Sequence, residues 1–258
     1  DYVTQGFTTQ AYAVANPFLP AKVNLMYNNR EPRFYQDITY SSKTWQKTTK
    51  QIYFYKGSGD DNSKADMSYS GYLLYKGMNR DLLNQGSNAK SKFRAGMLFR
   101  LADFYLLYAE ALNQLTTTHA ITLPTGESYS LSRDVDEMAK AFNQVRYRAG
   151  LPGLTQAQLE SPTEMFEQIK RERMVEFLGE GRRFYDVRRW GIYEDVDSEP
   201  IMGLNIAANE FGGFYQRTVV DEKNYRDRVV HRKLLFLPIS KSELRKVELL
   251  DQNPGYNN

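Results

Sequence analysis

Residues 169–191 read IKRERMVEFLGEGRRFYDVRRWG, and the way this stretch changes character halfway along decides the fold. Its first half continues a helical pattern that starts at Pro162, a residue suited to a first helical turn, and runs to about Leu178. At about 100° per residue, Glu172, Arg173, Glu176 and Glu180 fall on the same side as Met165 and Ile169, so an apolar stripe turns into a charged one. Three carboxylates at i, i+4 and i+8 repel one another, so arginines must lie close to them. The candidates are Arg182, Arg183, Arg188 and Arg189 from the same stretch, or Arg146 and Arg148 from the segment before it. Gly179 and Gly181 then interrupt the helix ahead of a short helical stretch ending near Trp190. Asp186 stands four residues after Arg182 and three from both Arg183 and Arg189. The expectation is a partly buried ion-pair network of Glu172, Arg173, Glu176, Glu180, Arg182, Arg183, Asp186 and Arg189.

Outward from this stretch the helical spacing persists. Between residues 94 and 115, Leu98, Leu101, Ala102, Tyr105, Ala109 and Leu112 mark one apolar face. Phe104, Leu107, Tyr108, Ala111 and Leu115 mark a second. A helix apolar on two faces suits a stacked helical repeat, and a simple core helix fits as well. Asp134 can cap a helix to Ala149 with Val135, Met138, Phe142 and Val145 inward, ended by Gly150 and Pro152. Residues 191–230 lack a sustained period and read as an irregular surface segment. Pro238 ends the apolar run of residues 234–237, and Ser240 can cap a short helix to Leu250. Before residue 94 the chain is different: residues 37–40, 51–56 (QIYFYK) and 71–76 (GYLLYK) read as short strands between Gly/Ser/Asn/Asp-rich loops. The reading is a mainly α fold in two regions of one domain, a loop-rich part over residues 1–93 and a helical part over residues 94–258.

Composition narrows the function. Thirty-four basic residues against 31 acidic ones give a net charge of +3 spread through the chain, which leaves little drive toward nucleic acid. The cluster RRFYDVRR (residues 182–189) mixes cations with rings, but Asp186 takes up much of its charge by local pairing. No run of about 18 apolar residues is present. With no Cys there is no disulfide or thiolate metal site. The chain has no G-x-S-x-G, P-loop or H-E-x-x-H pattern. Glu172 and Glu176 could serve a glycoside hydrolase as acid and base, yet surrounding arginines would keep both ionised where one must carry a proton. The loop DDNSKAD (residues 60–66) is oxygen-rich enough to suggest calcium, but Lys64 and Ala65 stand where an EF-hand loop needs a ligand and its turn glycine. No cofactor is expected.

Five ordered stretches resemble the SusD/RagB family of outer-membrane nutrient-binding lipoproteins. They are NREPRFYQDITYSSKTW (29–45), FRLADFYLLYAEALN (99–113), FNQVRYRAGLPGLT (142–155), IKRERMVEFLGEGRRFYDVRRWG (169–191) and FLPISKSELRKVELLDQNPGY (236–256). The resemblance implies tetratricopeptide-like helix pairs with a loop-rich ligand surface and no catalysis. It implies a lipid-anchored place on the outer face of the outer membrane, as a lid over a SusC-type TonB-dependent transporter. It also implies capture of oligosaccharides, or of peptides in some members. The matching stretches are those of the family's C-terminal part, and neither its helical N-terminal region nor its lipid-bearing Cys is among them. A partner is therefore expected, either that N-terminal region or a second copy of this chain.

Family ligand contacts come from aromatic and polar side chains on loops that vary between members, so the ligand residues here rest on exposure. A sugar lays its C–H face on an aromatic plane and offers hydroxyls to nearby carboxylates and amides. Trp45 beside a turn, Tyr53 and Tyr55 on one strand face, and Tyr69 and Tyr72 next to the polar loop supply the rings. Asp60, Asp61 and Asn62 supply the hydroxyl partners. The competing reading of the whole chain is a helical-repeat adaptor with a protein-facing concave surface.

Overall fold

The computed structural model describes residue 7 and residues 22–45, 50–61, 68–78, 96–220 and 228–256. The chain is mainly α, with three two-stranded antiparallel ribbons among the described residues. Four helices make the larger core: α2 (Leu101–Asn113), α3 (Val135–Arg148), α4 (Gln156–Glu160) and α5 (Pro162–Glu176). The last three begin where the sequence supplies a start signal. The Asp134 carboxylate accepts from the Glu137 N–H at 2.9 Å to cap α3. Thr155 and Gln158 form a reciprocal capping box on α4. Ser161 caps α5, with Pro162 in its first turn.

The core between these helices is built from Leu106, Ala109, Met138, Phe142, Val145, Met165 and Ile169, among others. Phe142 is fully buried, so its truncation to Ala would cost about 3–5 kcal/mol. The inward positions expected on α3 include three that are sealed from water, Met138, Phe142 and Val145.

A second core is aromatic and joins segments far apart in the chain. Tyr27, Tyr40 and Phe54 pack with Leu204, Phe214 and Tyr215, the last three contributed from beyond residue 200. Around it lie α1 (Pro32–Asp37), strand β1 (Ile38–Tyr40) and strand β2 (Tyr72–Leu74), paired with Tyr40 opposite Tyr72. Strands β5 (Met202–Leu204) and β6 (Arg217–Val219) form another ribbon at its edge. Aromatic pairs knit this core, with ring centroids 4.6 Å apart for Tyr27 and Tyr40 and 5.2 Å for Phe34 and Tyr40.

Several expectations from the sequence are corrected. Residues 51–56 form no strand; only Gln51 bridges Thr44, because Lys56 turns its N–H to Ala208 O and residues 53–55 meet no continuous partner. Helix α2 starts at Leu101, seven residues later than the pattern suggests. Arg100 is extended (φ −139°, ψ 160°), its side chain anchored across the fold by Glu176 and Glu180. The last helix, α8 (Lys241–Leu244), stops well short of Leu250. It buries no residue, so nothing tertiary supports a longer one.

Residues 191–230 carry more order than their pattern announces, since α7 (Tyr193–Ser198) and the β5–β6 ribbon lie there. The ribbon of β3 (His119–Thr122) and β4 (Ser128–Leu131) gave no alternation to find because both its strands are exposed on every side chain.

Candidate functional site

Helix α5 continues its buried face from Met165 and Ile169 into Glu172, Arg173 and Glu176, all sealed from solvent. Charges this deep need partners, and the fold brings them from four other elements. Arg33 of α1 donates through Nη1 to Glu172 at 2.7 Å and Glu176 at 2.9 Å, and through Nε to Glu31 at 2.8 Å. Arg146 of α3 reaches Glu172 at 3.3 Å. Arg148 and Arg100 both pair with Glu176. Arg100 and Lys76 then hold Glu180, each at 2.8 Å.

A second chain of pairs runs along the other edge of α5. Arg173 links Asp103 of α2 at 3.0 Å to Asp186 at 2.9 Å. Asp186 lies on α6 (Arg182–Arg189), as do Arg182, which meets Asp103 at 3.0 Å, and Arg189, which meets both Asp186 and Glu110. Trp190 donates Nε1–H to Glu110 at 2.8 Å. No ion pair of Arg183 occurs among the described residues, and Arg188 instead lies over Phe184 and Tyr193, at 3.6 and 4.2 Å.

The electrostatics follow from this geometry. Burial works against the charge of Arg33, but its bonds to Glu172, Glu31 and Glu176 raise its basicity well above the ordinary value. Burial would raise the Glu180 carboxyl, yet the bonds from Arg100 and Lys76 win and hold it below the usual carboxylate range. Glu172 and Glu176 share Arg33 and are shut off from water, so neither is placed to carry a proton to a substrate.

Sequence spacing did not disclose Arg33, Lys76, Arg100, Asp103 or Glu110, since every one of them meets its partner across at least 70 residues of chain. The one available signal was an excess of carboxylates on a buried helical face.

The turn between α5 and α6 needs its two glycines. Gly179 and Gly181 both have φ +75°, and a Cβ on Gly179 would come within 2.6 Å of the Leu74 side chain.

Of the rings singled out for ligand contact, Trp45 pairs with Tyr75, and Tyr53 pairs with Tyr55. Trp45 is half-buried against Tyr75, with centroids 5.5 Å apart, and its N–H bonds Lys50 O. Asp60 pairs with Lys50 at 2.7 Å, and its N–H bonds the Ser58 hydroxyl, which in turn donates to Tyr53 O. Tyr53 and Tyr55 lie 5.5 Å apart with planes inclined by 57°, and Tyr55 packs its edge toward Phe214.

Two candidates are occupied by the fold itself. Asp61 is buried and accepts from the Gly57 N–H at 2.6 Å, and Tyr72 packs against the aromatic core. Tyr69 is exposed, while Asn62 and the rest of the loop considered for calcium, residues 63–66, lie outside the described residues. A cleft of about 560 Å³ opens between α1 and α5, floored by Phe34, Ile38, Met174, Val175 and Leu178, and none of the expected ligand residues lines it. No helix among the described residues is long and apolar enough to cross a membrane.

The SusD family model matches residues 15–256. Among solved structures the chain is similar to a SusD-like protein from Bacteroides fragilis, at 29% identity and TM-score 0.68, over 90% of this chain and 40% of that one. It is also similar to BT4246, at 28% identity and TM-score 0.65, over 92% of this chain and 38% of that one. The selenomethionine form of BT4246 gives 28% identity and TM-score 0.64, over 92% and 39% of the two chains. This chain thus spans about two fifths of the length of these solved relatives. No curated protein matches it. The mainly α fold, with its tetratricopeptide-like helix pairs, is that of the SusD-like proteins.

Proposed function

Since this chain belongs to the SusD family, we propose that it captures an oligosaccharide at the cell surface without chemical change and hands it to a SusC-type TonB-dependent transporter. The observation that carries this reading is the family match across residues 15–256. The rings on the loops of residues 45–72 support it, because stacking platforms beside polar side chains are what a sugar requires. The contact set is Trp45, Tyr53, Tyr55, Asp60 and Tyr69, with Asn62 from the same loop. Asp61 and Tyr72 keep the platform in shape.

The protein works on the outer face of the outer membrane, held there by a lipid anchor. Arginine clamps on Glu172 and Glu176 argue against glycoside hydrolysis, which needs one carboxyl able to give up a proton. One feature speaks for a protein partner as well. Leu101, Phe104, Tyr108 and Ala111 form an exposed stripe on α2 at spacings of three and four, the pattern of a helix-docking seam. A helix from a longer form of this protein, or a second copy, covers it.

Isothermal titration against a panel of oligosaccharides and peptides tests the reading. Glycan binding that weakens in Trp45→Ala or Tyr53→Ala is expected. Binding to peptides alone would transfer the role to peptide uptake, and binding to nothing on the panel would leave the adaptor reading in its place.

A further inference from the structure

The turn of residues 209–216 presents a group of side chains that neither core nor ion-pair network uses. Phe211 is 80% exposed, one of the most exposed aromatic rings among the described residues, and makes an edge contact with Phe7 at 5.7 Å. Its backbone is firmly set. Asn209 Oδ1 accepts from the Gly212 N–H, Gly213 adopts φ +113°, and Phe214 and Tyr215 plug the turn into the aromatic core.

Beside Phe211 stands Glu210, half-buried yet with no hydrogen bond or ion pair among the described residues. Residues 53–56 lie alongside this turn, since the Lys56 N–H bonds Ala208 O at 3.0 Å and Tyr55 packs its edge toward Phe214 with centroids 6.1 Å apart. Burial pushes the Glu210 carboxyl up, opposed by the charge of Lys22. The Tyr53 hydroxyl donates to Gln51, whereas that of Tyr55 has no partner among the described residues. An acceptor held partly out of water without a donor is a cost to the fold, and a ligand hydroxyl removes that cost.

We infer that Glu210 and Phe211 join Tyr53 and Tyr55 in a binding site for a neutral oligosaccharide, an inference that rests on the glycan-capture reading. The Glu210 carboxylate accepts from a sugar hydroxyl, and Phe211 offers its open face to a sugar's C–H side. The Tyr55 hydroxyl completes the polar contacts. With their planes inclined by 57°, Tyr53 and Tyr55 cannot lie under one flat ring together, so they suit successive residues of a bent chain. Neutral sugars are selected because an acidic one, a uronate or a sulfated residue, would bring its charge against Glu210.

The test is titration of the chain and of Glu210→Gln, Phe211→Ala and Tyr55→Phe with matched neutral and acidic oligosaccharides, each variant first checked by thermal melting. Glu210→Gln is expected to weaken neutral-sugar binding at least about tenfold, the size of a lost charge-assisted hydrogen bond. Phe211→Ala is expected to weaken it about three- to tenfold. Melting should change little, since Phe211 is 80% exposed and Glu210 has no hydrogen bond or ion pair among the described residues. If the parent chain binds an oligosaccharide and these variants bind it equally well, the site is elsewhere and glycan capture stands. If the parent binds acidic sugars more tightly than neutral ones, the assignment of ligand class is overturned. If the parent binds no oligosaccharide, both readings fall.

Discussion

Replacing Glu176 by Gln removes one charge from a carboxylate that three arginines share. The side chain is 1% exposed, and its carboxylate receives Arg33, Arg100 and Arg148 together. Gln keeps one oxygen but turns an NH2 group toward guanidinium donors, so charge-assisted bonds are replaced by at best one neutral bond. The arginines are not left equally stranded. Arg33 retains Glu172 and Glu31, Arg100 retains Glu180, and Arg148 is 60% exposed and returns to water.

The loss therefore sits at the lower end of the range for breaking a buried pair, about 3 kcal/mol. For a chain of this size that corresponds to a fall in melting temperature of roughly 6–12 °C. Urea unfolding followed by circular dichroism gives the free energy, with Arg148→Ala as the comparison expected to cost less than about 1 kcal/mol. In the pair Glu172→Gln and Glu176→Gln the effects should not add, because each single variant leaves Arg33 a buried partner and the double variant leaves only Glu31. A Glu176→Gln protein within about 1 kcal/mol of the parent would refute the reasoning that this carboxylate is an internal clamp.

Thr39 is fully buried on β1 and its hydroxyl has no hydrogen-bond partner among the described residues. Thr39→Val, nearly the same shape, is therefore expected to raise stability by about 1 kcal/mol in the same denaturation assay. Gly179→Ala is expected to lower it by about 1–3 kcal/mol, through the left-handed backbone and the approach to Leu74, read as a shift in urea midpoint. Glu180 sets an acid dependence. Its folded-state value is lowered, so its contribution is fully present above the unfolded value of about 4.3 and is lost as pH falls through the folded value. Glu180→Gln should thus shrink the stability gap to the parent in melts taken below about pH 4. Glu210 has the opposite sign: its value is raised, so its contribution is present at low pH and is lost as pH rises through the folded value. Glu210→Gln should melt no lower than the parent at pH 7, even as it weakens sugar binding.

Local pattern was enough for the helices because their signals are local. Asp134, Ser161 and Pro162 mark starts that depend only on neighbouring backbone groups, and Met138, Phe142 and Val145 fall inward from periodicity alone. The same logic failed at QIYFYK, whose alternation describes a strand but which, among the described residues, pairs with residues 42–45 only at its start. It failed again at Leu98, which fits the helical face but is 82% exposed in the non-helical segment before α2. Strands and helix ends are completed by partners distant in sequence, and a local pattern carries no record of them.

By itself the sequence determined that the chain is mainly helical, that the Glu-rich face of α5 must meet arginines, and that ordered stretches such as EGRRFYDVRRW resemble one family. Only the tertiary structure decided which arginines those are. Arg33 and Arg100 arrive from outside the helical stretch because only close packing brings charges remote in sequence within bonding distance of a buried carboxylate. Only the fold, too, brought the turn of residues 209–216 against residues 53–56, where Tyr55 packs toward Phe214 and the Lys56 N–H bonds Ala208 O across a long stretch of chain.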